Sequence, residues 1–190
     1  DPYNLVIFGD NHDTDRFFTR VDEDLPALKM ALSFIFTTRG IPQLYAGTEL
    51  LESAFEHDGH GLMRTRFPGG WPGDAVNAFT REGRTPRQNQ VYDHIKQLLE
   101  FRRENPVLHY GWLRHFVPRD NVYVYFRYLQ GEAVMVILNA NHHEVELDMA
   151  RFQESWQDYR GADELFSGAS HENFDRWRVP ARSSMVWKLR

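Results

Sequence analysis

The sequence predicts an α/β segment followed by an all-β one, and three observations carry that prediction. First, an apolar run closed by glycine (Leu5–Phe8, then Gly9) is followed by a helix-spaced stretch and a second short apolar run from Ile41. Strand, helix, strand at this spacing is a βαβ unit with parallel strands. Second, from about His109 the chain turns to short β-rich runs, "VYVYFRYL", "AVMVILNA", "HEVELD" and "SSMVWKLR", parted by turn-forming residues. Third, residues 50–87 are rich in Gly, Pro and charge, a loop long enough to be functional or mobile. The boundary falls near residue 108, so that residues 1–108 form one unit and 109–190 an antiparallel β-sandwich.

Each element has a local reason. Leu5–Phe8 reads as a strand buried on both faces, because it is apolar without alternation. "DEDLPALKMALSFIFTTRG" reads as a helix: acidic residues at 22–24 suit its N-terminus, Pro26 is tolerated in the first turn, and Leu25, Leu28, Leu32 and Ile35 share one face. Arg39 and Gly40 stop it. A further helix carries an apolar stripe of Val91, Ile95, Leu98 and Leu99 and ends at Asn105-Pro106. Gln130-Gly131-Glu132 marks a tight hairpin. Five or six strands are expected between Gly111 and Arg190, with Tyr123, Tyr125 and Trp187 filling the sandwich core.

Composition narrows the function classes. A net charge of −5 argues against a nucleic-acid partner. No apolar run approaches the roughly 20 residues of a membrane-spanning helix; the longest, Ala27–Phe36, contains Lys29 and Ser33. The absence of cysteine removes disulfides and thiolate chemistry. The first residue is Asp1 rather than Met, and the chain is expected to be a piece of a longer protein.

Asn11, His12 and Asp13 lie just past the first strand. Side chains at the C-terminal end of a strand in a βα unit face the site in barrels and doubly wound sheets. The competing reading is structural, since Asn and Asp cap backbone N–H groups wherever a strand gives way to a helix. His57 and His60 have a spacing open to metal, but no third ligand is evident and a solvated loop explains them. Trp71, in "FPGGWPG", is either a stacking face for a sugar or part of the loop's own packing. His142-His143 reads as surface. Neither a nucleophile elbow nor a glycine-rich phosphate loop is present.

"FGDNHD", Phe8 to Asp13, resembles the Phe-x-x-Asn-His-Asp signature ending the seventh barrel strand in the α-amylase family of glycoside hydrolases (family 13). "GIPQLYAGTE", Gly40 to Glu49, resembles the eighth-strand signature Gly-x-Pro-x-x-Tyr-Tyr-Gly-x-Glu, with Ala46 where Tyr is usual. The "RTRFPGGWPGDAVNAF" loop looks like the neopullulanase and cyclomaltodextrinase branch. The resemblance implies the last βα units of a TIM (β/α)8 barrel followed by the sandwich called domain C. It implies an enzyme that cleaves α-1,4-glucosidic bonds in starch, pullulan or maltooligosaccharides with retention.

In that reading Asp13 is the catalytic residue that stabilises the transition state, while His12 and Asn11, with Trp71, bind substrate. The nucleophile and acid/base, roughly 5 Å apart in retaining enzymes, would lie upstream of Asp1, so the isolated chain should be inactive. A full barrel needs about 250 residues. The cut barrel strands should leave bare edges and drive self-association. No cofactor or metal is implied, although the resemblance allows a calcium in the parent; the partner is an α-glucan. A periplasmic or secreted location rests on the resemblance alone. The alternatives are a non-catalytic glucan-binding module and a transglycosylase of the same family.

Overall fold

The computed structural model describes residues 1–190. The first part runs β1 (Val6–Phe8), α1 (Phe17–Arg20), α2 (Leu25–Thr37), β2 (Ile41–Gln43), α3 (His60–Met63), α4 (Pro86–Glu104) and α5 (Val107–Tyr110). β1 and β2 pair in parallel, Ile7 opposite Pro42, across α2. The Asp24 carboxylate caps α2 by accepting the Ala27 N–H at 2.8 Å. Leu25, Leu28, Leu32 and Ile35 are all buried, as their spacing predicts. The chain leaves α2 through Gly40, whose φ of +112° suits glycine and where a Cβ would lie 2.9 Å from the Leu5 carbonyl.

α4 opens with a reciprocal capping box between Thr85 and Gln88. Val91, Ile95 and Leu98 are buried, but Leu99 is exposed, a correction to the predicted stripe. The inward face instead continues through His94 and Arg102, both buried and hydrogen-bonded to carbonyls of α2 or its exit. The long connection before α4 is less irregular than its composition suggests. Short 3-10 turns form at Thr48–Leu50 and Glu56–Asp58, ahead of α3.

β1 is not buried on both faces. Val6 and Phe8 are exposed and only Ile7 turns inward. A parallel strand is covered when neighbours and helices close over it, and here β1 has a single partner.

The second part contains β3 (Trp112–His115), β4 (Val122–Leu129), β5 (Glu132–Asn139), β6 (Val145–Asp148), α6 (Gln153–Trp156), β7 (Ala162–Glu164), β8 (Ser170–His171), β9 (Arg176–Val179) and β10 (Ser183–Leu189). These are eight strands rather than five or six, every pair antiparallel. Six form one sheet in the order β3-β4-β5-β10-β7-β8, and β6-β9 form a second. Gln130 and Gly131 turn β4 into β5 with φ of 50° and 89°, the positive pair that a two-residue hairpin requires.

The larger sheet is covered on both sides. Tyr125, Val134, Val136 and Val186 face α2 and α4 and share a core with Leu28, Leu32, Val91 and Ile95. The alternate residues Phe126, Met135, Ile137 and Trp187 face β6-β9 and pack with Trp177 and Val179. Tyr123 and Tyr125 therefore pack on the helix side, not in the sandwich interior; Trp187 lies where expected.

Two buried arginines join these layers at the end of α2, where a helix leaves carbonyls without partners. Arg102 donates to Phe36 O and Gly40 O. Arg127, fully buried on β4, donates to Thr37 O, Thr38 O and Gly111 O at 2.7–2.8 Å. Burial, with Arg102 adding to it, lowers the Arg127 pKa to about 10, so the group stays charged at neutral pH.

Candidate functional site

The turn from β1 to α1 is built on Asp10, which is buried. Its Oδ2 accepts the Phe17 N–H at 3.0 Å, and its Oδ1 accepts the Thr48 hydroxyl at 3.0 Å. Arg16, also buried, brings Nε to 3.3 Å from Asp10. Its other nitrogens donate to Met63 O at 3.1 Å and Ala46 O at 2.8 Å, and its guanidinium lies 4.4 Å from the Tyr45 ring centroid. Burial raises the Asp10 pKa; the Phe17 N–H, Arg16 and Thr48 act in the opposite direction. This anchor ties the end of β1 to the segment after β2.

Above the anchor, Asn11 shapes the turn. Its Oδ1 accepts the Asp13 N–H at 2.8 Å, and its own N–H donates to Thr14 Oγ1. Asp13 is exposed. Its Oδ1 accepts from Arg64 Nη2 at 2.7 Å, and its Oδ2 lies 3.0 Å from His12 Nε2. Arg64, just past α3, also donates from Nε to His12 O at 3.0 Å. The helix-capping role that Asp13 could have filled falls to Asp10. The Asp13 carboxylate is left facing outward with a cation and an imidazole.

The structure thus brings Asn11, His12 and Asp13 together but gives them unequal parts: Asn11 Oδ1 serves the backbone, whereas His12 and Asp13 present polar atoms to solvent. The Asp13–Arg64 pair is exposed, and such pairs contribute about 0–1 kcal/mol, so a ligand can displace Arg64 at little cost. Trp71 belongs to a separate loop. Its backbone N–H donates to Asp74 Oδ2 at 3.0 Å, and the residue is 67% exposed, so its ring does not pack that loop. Gly69, Gly70 and Gly73 around it all have positive φ. His57 stacks on Phe55, while His60 Nδ1 lies 3.5 Å from Arg64.

Sequence reasoning missed Asp10, Arg16, Thr48 and Arg64. Asp10 lies within the same strand-ending motif and its position could have been read. Arg64, and Arg16 apart from its contact with Asp10, act through partners 30 to 52 residues away, which local pattern does not reveal.

The chain is similar to known proteins in both sequence and fold. Residues 113–188 match the family model of the cyclo-malto-dextrinase C-terminal domain. A cyclomaltodextrin glucanotransferase of Geobacillus stearothermophilus is 33% identical over 135 residues, 70% of this chain and 16% of that protein. A cyclomaltodextrinase of Thermoanaerobacter pseudethanolicus is 30% identical over 142 residues, 73% of this chain and 22% of that protein. The chain therefore spans only 16–22% of these curated relatives. Among solved structures, an α-amylase of Geobacillus thermoleovorans complexed with acarbose superposes with TM-score 0.73 at 23% identity, covering 100% of this chain and 39% of that one. A γ-cyclodextrin glucanotransferase of Bacillus clarkii gives TM-score 0.68 at 24% identity, covering 98% and 26%. At these identities the superpositions show a shared fold. No helix is long and apolar enough to cross a membrane.

Proposed function

This chain carries the C-terminal domain of an α-amylase-family protein, and from that premise we propose that Asp13 serves a retaining α-glucan hydrolase as its transition-state-stabilising carboxylate. In this reading residues 1–108 are the last βα units of a (β/α)8 barrel and residues 109–190 are domain C. The parent cleaves α-1,4-glucosidic bonds in starch, pullulan or maltooligosaccharides. The nucleophile and acid/base come from barrel strands outside this chain, and the chemistry runs on carboxyl groups without a cofactor.

One observation carries the proposal: the Asp13 carboxylate stands at the C-terminal end of β1, in parallel register with β2, free of any capping duty and open to solvent. That end of the strands is where barrel enzymes place their chemistry. A glucosyl ring passing toward an oxocarbenium ion gains positive charge and flattens. A carboxylate hydrogen-bonded to its hydroxyls binds that state more tightly than the ground state, which is what lowers a barrier. His12, 3.0 Å away, is placed to share the same sugar. Substrate binding would separate Asp13 from Arg64.

The test is Asp13→Asn in the full-length parent. The expected result is a rate on maltooligosaccharides lower by orders of magnitude with a nearly unchanged Tm; a mild rate effect removes Asp13 from the catalytic list. The isolated chain should not turn over pullulan. A second reading, transfer of the glucosyl unit to a sugar acceptor rather than to water, is favoured by the relatives that are named glucanotransferases. Product analysis with an added acceptor separates the two.

A further inference from the structure

A cavity of about 470 Å³ opens where α2, α4 and the sandwich meet, and it shares no residue with the Asp13 cluster. α2 contributes Lys29, α4 contributes Gln90, Asp93 and Gln97, the connection after β7 contributes Phe166, and the turn before β10 contributes Arg182. Its size suits a small molecule.

The charges lining it do not balance. Both oxygens of Asp93 are held by Arg81 Nη1, at 3.1 and 2.8 Å. Arg182 Nη2 meets Asp24 Oδ1 at 2.9 Å. His94 beneath is neutral at pH 7, its pKa pushed down to about 4 by burial and then by Lys29. Lys29 is half-buried, and burial is the sole cause lowering its own pKa; no carboxylate offsets it. The one uncompensated charge in the cavity is therefore positive, and an anion beside it offsets the cost of its partial burial.

The remaining wall is organised. The Phe166 ring stacks on His94 with centroids 4.4 Å apart. The backbone at Phe166 is fixed, because the buried Glu164 carboxylate accepts the Phe166 and Ser167 N–H groups at 2.9 and 2.7 Å. Gln90 and Gln97, two turns apart on α4, keep their amides free to donate and accept at the rim.

We propose that this cavity binds a small hydroxylated anion, such as a phosphorylated sugar. The anionic group sits on Lys29 Nζ, the hydroxyls reach Gln90 and Gln97, and an apolar ring face rests against Phe166.

Thermal melts of the 190-residue protein test this, with glucose 6-phosphate, inorganic phosphate or glucose added at ionic strength matched with KCl. Glucose 6-phosphate should raise Tm by roughly 3 °C at about tenfold its Kd. A smaller rise with inorganic phosphate isolates the part due to the anion, and glucose should give none. Lys29→Met should abolish the rise, with little change in the basal Tm, because the Lys29 side chain is only half-buried. No rise beyond KCl, an equal rise with glucose, or a rise that survives Lys29→Met overturns the proposal. Gln97→Ala, at an exposed position, keeps the test decisive should Lys29→Met not fold. It should weaken glucose 6-phosphate at least threefold, and an unchanged affinity overturns the assignment.

Discussion

β1 and β5 are both continuous apolar runs, and they meet opposite fates. "AVMVI" on β5 is buried at every position because α2 and α4 cover one face of its sheet and β6-β9 the other. "LVIF" at β1 leaves Leu5, Val6 and Phe8 in solvent, 61%, 51% and 44% exposed, because β2 is its only neighbour. The same residue types thus stabilise one region and not the other. Burial belongs to the layers a strand is placed between, not to its own sequence.

The largest effect that would sharpen this contrast is expected at Trp187, buried between the two sheets against Trp177. Trp187→Ala should cost about 3–5 kcal/mol, read as a lower urea midpoint. A loss below about 1 kcal/mol would mean that the sandwich interior is not the main source of stability. Next is the pH response of the helix-side layer. The unfolded chain protonates His94 near 6.5, whereas the folded protein resists this until about pH 4. Between those values the unfolded state binds more protons, so stability should fall as pH drops from 6.5 to 4, by up to about 3 kcal/mol. Urea melts across that range should show the decline, and His94→Asn should flatten it.

Arg127→Met comes third. It leaves the Thr37, Thr38 and Gly111 carbonyls without their donor and should cost about 2 kcal/mol in the same urea melts. The smallest effect is expected at β1, where Val6→Thr should change stability by less than about 0.5 kcal/mol. Hydrogen exchange should divide the molecule the same way, with β5 amides protected to near the global limit and β1 amides opening readily. Equal protection in the two strands would erase the distinction.

The sequence made these regions legible to different degrees. α2 was readable because Asp24, the leucine spacing and Gly40 all act within a few residues of where they appear. The β4–β5 hairpin was readable from Gln130-Gly131 for the same reason. The strands between Val145 and Val179 were undercounted because they are two to four residues long and interrupted by α6. At the candidate site, the placement of Asn11, His12 and Asp13 beyond a strand was legible. The division of labour between Asp10 and Asp13 was not, because it depends on Thr48 and Arg64, which only the fold brings near.

The guanidinium of Arg127 makes the two halves of this molecule hard to use as interchangeable parts. Cutting the chain near residue 108 would strand that charge in the middle of a bare sheet face, with Val134, Val136 and Val186 open beside it. A graft of the β-rich half onto another scaffold would need a helix end presenting carbonyls at the same spot, so the sandwich can be inherited or swapped only together with the helix it grips.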